Sequence, residues 1–243
     1  MNHFKNKNFL ILGGTSGIGF DLAKKLSAFS KVAVIGRNDK NIKSFNSKNI
    51  TFFRHEISDL DNSIEFFNTH IIGEKYDGVF VSVGTEQFKS LSSIKNRDIK
   101  NIFLPPILAL LIILKLATSG KLLNELSSIV AMSSVSSVKG SAAMSVYGSS
   151  RAAIESIIKH SSNELTKRKI RINAIRSGAF KTEMHQRITS KMKKKQLEIY
   201  EKSHLLGFGE IDDVTELVIY LLSSKSKWFT GSVITLDGGY LSS

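Results

Sequence analysis

The stretch Asn8–Gly19, NFLILGGTSGIG, decides the fold, because a short apolar run passes there directly into a glycine loop. Asn8–Leu12 is predicted to be a strand, and Ile18, Leu22, Leu26 and Phe29 then recur at helical spacing. Strand, glycine loop and helix in this order are typical of the phosphate-binding corner of a dinucleotide fold. The glycines admit a pyrophosphate, and the helix N-terminus offers free N–H groups to it.

The same alternation of strands and helices continues to the end of the chain. Further strands are predicted at Lys31–Ile35, Ile50–Arg54, Gly78–Val83, Ser128–Met132, Arg171–Ile175 and Val233–Leu236. Helical segments separate them, with no linker and no internal repeat. The chain is therefore predicted to be α/β, a single-domain Rossmann fold over residues 1–243 with a doubly wound parallel sheet of about seven strands.

The composition is that of an ordinary globular protein, with 42% apolar and 23% charged residues among 243. The chain has no cysteine, which excludes a disulfide framework and a cysteine–zinc site and suits the reducing cytoplasm. We predict no metal site. The longest apolar run, Ile102–Leu114, contains Pro105 and Pro106 and is shorter than the ~20 residues of a spanning helix. It is predicted to be a buried helix, without a membrane segment.

The net charge of +13 raises the question of an anionic partner. The lysines are scattered, with one cluster at Lys191 and Lys193–Lys195. No zinc finger, arginine-rich arm or aromatic RNA-binding motif accompanies them, so no nucleic-acid partner is predicted. Solubility, or attraction of an anionic cofactor and substrate, accounts for the charge.

A second informative stretch is Val130–Ile154, VAMSSVSSVKGSAAMSVYGSSRAAI. Its strand ends near Ser134, and the helix that follows carries Tyr147 and Arg151 one turn apart on one face. A phenol, with a pKa near ~10, exchanges protons poorly at neutral pH, and a fixed cation beside it favours the phenolate. The pattern predicts a proton-transfer site for a carbonyl or an alcohol. Taken alone, however, it equally suits an interface tyrosine and a solvated arginine.

The turn after the second strand, Gly36-Arg37-Asn38, bears on the cofactor. NAD-binding sites place an acidic residue near this point to hold the ribose hydroxyls, whereas an arginine suits the 2′-phosphate of NADP. Gly36 offers no acid and Arg37 offers a cation. NADP(H) is therefore the preferred cofactor, with NAD(H) as the alternative.

Over nearly its whole length the chain resembles the short-chain dehydrogenase/reductase family. The resemblance is carried by Gly13-x3-Gly17-Ile18-Gly19, by Ser134 with Tyr147-x3-Arg151, by Ile172–Gly178 and by Phe229–Gly239. It implies the catalytic residues Asn101, Ser134, Tyr147 and Arg151. It implies a cofactor site formed by Gly13, Thr15, Ser16, Gly17, Ile18, Gly19, Arg37, Glu56, Ile57, Gly84, Tyr147, Arg151, Gly178 and Thr182. It also implies a lid over the substrate at about 183–206 and a homo-oligomer, either dimer or tetramer, formed through the Asn101 and Tyr147 helices.

The main departure from this family is Arg151, which stands where the family has lysine. Val81–Gly84 also replaces Asn-Asn-Ala-Gly, and Ser177 replaces a proline. Arginine keeps the positive charge, but it is larger, planar and never deprotonated. Since a displacement of ~1 Å at such a site can cost ~100-fold in rate, we expect a slowed enzyme.

These features predict an NADP(H)-dependent carbonyl reductase or alcohol dehydrogenase. The lysines of the lid suggest a small anionic substrate of acyl-carrier or sugar-nucleotide type, and a solvated helix face is the alternative explanation for them. Because of Arg151, a catalytically weak or silent NADP(H)-binding sensor or assembly protein is the alternative function.

Overall fold

In the computed structural model, which describes residues 4–39, 41–45 and 47–243, seven strands form one parallel sheet. Their order across the sheet is β3-β2-β1-β4-β5-β6-β7. The strands are β1 (Asn8–Leu12), β2 (Lys31–Gly36), β3 (Ile50–Arg54), β4 (Tyr76–Val81), β5 (Leu123–Ser134), β6 (Arg171–Ser177) and β7 (Val233–Leu236). The predicted fold class, a single-domain α/β fold with a parallel seven-stranded sheet, is confirmed.

Helices cover both faces of the sheet. They are α1 (Gly17–Ser27), α2 (Leu60–His70), α3 (Asn96–Asp98), α4 (Leu104–Thr118), α5 (Ser145–Leu165), α6 (Glu183–Thr189), α7 (Lys194–Lys202) and α8 (Ile211–Leu222). Leu10 and Leu12 point into a core shared with α2, α4 and α5, while Phe9 and Ile11 point into a core shared with α1 and α8. Burial on both faces explains why the strands are almost continuously apolar.

Several element bounds differ from the predicted ones. β5 begins at Leu123 rather than near Ser128, because Leu123 pairs with Tyr76 of β4 although the intervening Glu125 is exposed and breaks the apolar pattern. The first helix ends before Phe29, which is 39% exposed and does not extend the apolar stripe.

The apolar helix begins irregularly. One helical turn, α3, runs into the π-helical segment Ile99–Phe103, and α4 follows with Pro105 and Pro106 in its first turn, where helix N–H groups have no partner in any case. By length and composition Asn96–Thr118 could cross a membrane, but half of its most apolar window is buried inside this fold. It packs against α5 and the sheet as a core helix.

All seven strands point the same way, so their carboxyl ends meet at one edge of the sheet. This edge receives Gly13, Arg37, Gly84, Ser134 and Gly178 from five different strands or the turns after them. The strand order reverses between β1 and β4, and such a reversal opens a crevice above the sheet. The topology therefore places the predicted site residues around one crevice.

We expect Gly19→Ala to destabilise the protein, although alanine inside a helix is normally better than glycine by about 1 kcal/mol. A Cβ on Gly19 would overlap the carbonyl oxygen of Gly13, and backbone cannot yield cheaply. Overpacking costs about 1–3 kcal/mol, and each kcal/mol lowers the unfolding midpoint of a chain this long by about 2–4 °C. Thermal unfolding measures this, with Gly73→Ala as the control because no atom lies within 4 Å of its Cβ position. An unchanged midpoint for Gly19→Ala would show that α1 does not press on the loop.

Candidate active site

The glycine loop after β1 is shaped by close backbone contacts. Gly13 has φ +84°, and a Cβ there would lie 2.6 Å from the carbonyl oxygen of Ser82, at the end of β4. Ser16 is the N-cap of α1, yet its side chain makes no capping hydrogen bond. The first amides of α1 and the Ser16 hydroxyl are thus available to an anion, as the phosphate-binding prediction requires.

A cleft of about 560 Å³ opens beside this loop, within the usual size for a small-molecule site. Of the predicted site residues, those that line it are Gly13, Thr15, Ser16, Arg37, Glu56, Ile57, Gly84 and Asn101. The residues that line the cleft come from the ends of β1, β2, β3 and β4 and from the π-helical turn before α4. Lys100 also lines the cleft and had not been predicted.

Arg37 is a cation at the rim of this cleft. Its Nη1 lies 3.8 Å from Oε1 of Glu56, and both side chains are about two-thirds exposed, at 66% and 68%. An ion pair this open contributes little, on the order of 0–1 kcal/mol. The Arg37 guanidinium is therefore free to exchange Glu56 for a bound anion at small cost.

The remaining predicted cofactor residues lie outside the lining of this cleft. Gly17 faces Thr182, whose Cγ2 is 3.9 Å from the Cβ position of Gly17, so the loop and the start of α6 approach each other. Thr182 is the N-cap of α6, and its hydroxyl accepts a hydrogen bond from the amide of His185 at 3.2 Å. Ile18 and Gly19 follow in α1, and Gly178 packs on Asp237.

Arg151 is buried, with 6% of its surface exposed, so the interpretation as a solvated helix charge is wrong. Its Nη1 donates to the carbonyl oxygens of Val83 at 3.4 Å and Met132 at 3.3 Å. The guanidinium carbon lies 4.9 Å from the ring centroid of Tyr147, a cation–π contact. Gly84 has φ +138°, which favours glycine, and a Cβ there would also overlap the guanidinium. Arg151 therefore joins the cofactor cleft to Tyr147.

One donor of this guanidinium is unused. Nε of Arg151 is buried and has no hydrogen-bond partner among the residues that the structure describes. A buried donor without an acceptor is costly, by about 1–3 kcal/mol. Hydroxyl groups of a bound ribose would supply acceptors, so the site fits a dinucleotide at the position where Arg151 replaces the family's lysine.

Ser134 and Tyr147 are brought to neighbouring elements. The Ser134 hydroxyl oxygen accepts from the amide of Ser136 at 3.2 Å and so caps the 3₁₀ turn Val135–Ser137. Because that bond uses an oxygen lone pair, the hydroxyl proton stays available for donation. Helix α5 lies against this turn, since a Cβ on Gly148 would be 2.5 Å from the carbonyl oxygen of Ser136. Within the described part of the chain, no hydrogen bond joins Ser134 to Tyr147.

Asn101 lies in the π-helical turn that precedes α4. Its side chain is exposed and lines the cleft beside Lys100 and Leu104. Single-turn π segments leave backbone groups out of the regular ladder and are frequent at functional sites.

The predicted lid is a segment whose two ends are joined by main-chain hydrogen bonds. It leaves after Phe180 and returns at Gly209, where the amide of Lys181 donates to the Gly209 carbonyl at 2.9 Å and the amide of Gly209 donates to the Ala179 carbonyl at 3.0 Å. Inside it, the His204 ring accepts from the amide of Ala179 at 3.2 Å and so must carry its proton on Nδ1, which faces the Tyr200 carbonyl at 3.0 Å.

Sequence reasoning missed Glu86 and Tyr200, which lie near the buried pair. Burial raises the pKa of Glu86, although the Arg151 guanidinium pulls it back down. Burial also raises the pKa of Tyr200, and the nearby Glu86 carboxylate adds to the effect. No motif marks either residue, because their proximity comes from the fold of the lid over the loop after β4.

Comparisons with known proteins agree with this geometry. A family model described as enoyl-(acyl carrier protein) reductase matches residues 13–241. The chain is 28% identical to the 3-oxoacyl-[acyl-carrier-protein] reductase FabG of Rickettsia felis over 237 residues, 97% of each chain. It is 29% identical to carbonyl reductase family member 4 of Xenopus laevis, covering 94% of this chain and 95% of that one.

Among solved structures, a tyrosine-to-phenylalanine variant of ElxO with NADPH bound superposes with a TM-score of 0.83 at 25% identity, covering 98% of this chain and 100% of that one. The similar sequences and the similar structure thus indicate the same family. The chain belongs to the short-chain dehydrogenase/reductase family of oxidoreductases, which bind nicotinamide cofactors.

Proposed function

We propose that the protein is an NADP(H)-dependent carbonyl reductase or alcohol dehydrogenase that acts, at a reduced rate, on a small substrate. The observation that carries this proposal is the buried contact between Arg151 and Tyr147, with the guanidinium carbon 4.9 Å from the ring centroid and the guanidinium next to Gly84 of the cleft lining. An acid–base group and a fixed cation beside a cleft suit proton transfer.

In this proposal the glycine loop holds the pyrophosphate. The residues involved are Gly13, Thr15, Ser16, Gly17, Ile18 and Gly19. Glu56 and Ile57 would contact the adenine, and Gly84, Gly178 and Thr182 the nicotinamide half. Support comes from the uncapped start of α1 and from the cleft, which is lined by six of these residues: Gly13, Thr15, Ser16, Glu56, Ile57 and Gly84.

When bound, the nicotinamide supplies a hydride to a carbonyl carbon or takes one from a hydroxyl-bearing carbon. Tyr147 gives the proton to the substrate oxygen in reduction and removes it in oxidation. Ser134 donates its free hydroxyl proton to the same oxygen. Arg151 stabilises negative charge on Tyr147 and offers Nε to the ribose, while Asn101 holds a water.

The preference for NADP(H) over NAD(H) rests on Arg37. Its guanidinium is exposed at the cleft rim, and Glu56 is its one ion-pair partner among the residues that the structure describes, so a 2′-phosphate could replace that carboxylate. The bound NADPH of ElxO, at 25% identity, agrees with this preference.

For the substrate, we propose an acyl group on an acidic carrier, with a nucleotide-linked sugar as the alternative. The lid helix α7 and the residues before it carry Lys191 and Lys193–Lys195 on an exposed surface. Two of the comparisons are with reductases of acyl carrier protein substrates, which favours the carrier.

We also propose a cytoplasmic homo-oligomer, dimer or tetramer, that pairs α4 and α5 between subunits. The outer face of α4 keeps Ile107 and Leu108 only partly buried and leaves Leu111 38% exposed. Apolar surface of this kind suits a second subunit.

A second candidate function is a catalytically weak or silent NADP(H)-binding sensor or assembly protein. It is favoured by the way Arg151 is used, because Nη1 is committed to two backbone carbonyl oxygens. A guanidinium held there is less free to adjust to the ribose and to Tyr147 than an ammonium would be. This candidate predicts tight NADPH binding with no oxidation across a wide panel of carbonyl compounds.

We expect Tyr147→Phe to lower kcat about 10²- to 10⁴-fold, because it removes the proton donor and leaves the ring in place. NADPH consumption with a panel of ketones, acyl thioesters and sugar carbonyls measures this, and NADPH binding should persist. Tyr220→Phe, on the exposed side of α8, is the matched control. Turnover at the wild-type rate in Tyr147→Phe would contradict the assignment.

We expect Arg151→Lys to raise kcat about 10-fold or more, since an ammonium can move toward the ribose and Tyr147 while keeping the charge. Initial rates at saturating NADPH test this. An unchanged or lower rate would mean that the guanidinium is itself the better group at this site. Absence of turnover in both proteins, with NADPH bound, would favour the silent candidate.

We expect Arg37→Ala to weaken NADPH binding about 10- to 100-fold, because a hydrogen bond to a charged group contributes about 1.5–3 kcal/mol. Affinity for NADH, which lacks the 2′-phosphate, should stay the same and serves as the internal control. Fluorescence titration measures both. Equal affinity of the wild-type protein for the two cofactors would remove the basis for the NADP(H) preference.

A further inference from the structure

A buried polar layer lies between α5 and the carboxyl ends of β5 and β6. Its centre is Glu155, which is 7% exposed. One carboxylate oxygen accepts from the hydroxyls of Ser133 at 2.8 Å and Ser137 at 2.6 Å and from Nε of Arg176 at 3.0 Å. The other accepts from Nη2 of Arg176 at 2.6 Å. None of the site residues predicted from sequence belongs to this layer.

The carboxylate and guanidinium in this layer are both ionised. Burial would raise the pKa of Glu155, but the hydrogen bonds from Arg176, Ser137 and Ser133 outweigh it and hold that pKa below its usual range. The hydrogen bond with Glu155 raises the pKa of Arg176, and the nearby Asp237 carboxylate raises it further. A two-pronged arginine–carboxylate contact of this kind is also directional, so it fixes geometry.

The partners of Glu155 lie in the Ser134 turn or are linked to it. Ser133 precedes Ser134, and Ser137 closes the turn that Ser134 caps. Arg176 precedes Ser177, whose hydroxyl donates to the Ser133 carbonyl at 3.0 Å.

Glu155 itself belongs to the helix that carries Tyr147 and lies one turn after Arg151. Ser133 reaches that helix a second time, since its hydroxyl lies 3.2 Å from the Arg151 carbonyl. One carboxylate thus ties the serine turn, β6 and the tyrosine helix together.

We propose that Glu155 is a positioning residue, whose carboxylate locks the Ser134 turn against α5 and thereby sets the Ser134 hydroxyl relative to the Tyr147 phenol. The inference rests on the proposed function for its kinetic consequence. The structural consequence, a turn held in place by Glu155, can be tested without turnover.

The double variant Glu155→Leu/Arg176→Leu separates positioning from stability. Removing one partner of a buried ion pair strands the other, whereas replacing both by apolar residues is often neutral or stabilising. The double variant is therefore expected to keep the wild-type unfolding midpoint and NADPH affinity. Ser137→Ala, which removes the hydroxyl that joins the turn to Glu155 and leaves the ion pair with Arg176 intact, is the second variant and serves where the double variant fails to fold.

The experiment measures kcat and KM for a carbonyl substrate, together with hydrogen exchange of the amides of Val135–Ser137. We expect kcat to fall about 10-fold or more, KM for NADPH to stay unchanged, and the turn amides to exchange faster. Glu74→Gln, which breaks the exposed ion pair with Lys31 at the opposite edge of the sheet, is the control and should change none of these.

A folded variant with wild-type kcat, or with unchanged exchange in Val135–Ser137, would overturn the positioning role. If the wild-type protein binds NADPH but turns over no carbonyl compound, the proposed function has failed, and hydrogen exchange alone then decides whether Glu155 holds the turn.

Discussion

The buried guanidinium of Arg151 constrains the strand ends and the loop around it at the carboxyl edge of the sheet. A charge leaves water only where protein groups replace its hydrogen bonds. For Arg151 these groups are the carbonyl oxygens that follow β4 and lie near the end of β5, together with the ring face of Tyr147. Gly84 must lack a side chain to leave room. The strand ends, the loop after β4 and helix α5 therefore fit together around a cation.

This arrangement explains how two separate parts of the site can act as one. The cleft beside the glycine loop is lined from β1 to β4, and Tyr147 and Ser134 lie outside that lining. Arg151 contacts Gly84 on one side and Tyr147 on the other. A small shift of α5 would thus be felt in both parts, which is why the Glu155 layer beneath that helix matters for chemistry as well as for packing.

The fold was largely predictable from sequence, and the site only in part. The bounds of β1, β3 and β7 agree with the predicted ones, because glycine or polar residues bracket each apolar pattern there. The predicted glycine loop and Arg37 line one cleft because the order of strands dictates it. The pairing of Glu155 with Arg176 was not predictable, since it depends on the register of α5 over β6, which neither residue's local pattern encodes.

The main-chain hydrogen bonds that close the predicted lid at Gly209 have a consequence for how sequences of this kind can vary. Because main-chain hydrogen bonds join Gly209 to Ala179 and Lys181, the intervening helices form a segment whose two ends stay fixed. Changes in the length or sequence of a segment whose ends are fixed alter the loop-closure entropy only slightly and leave the strands undisturbed. The segment between residues 181 and 209 can therefore vary in length and sequence while the sheet keeps its structure.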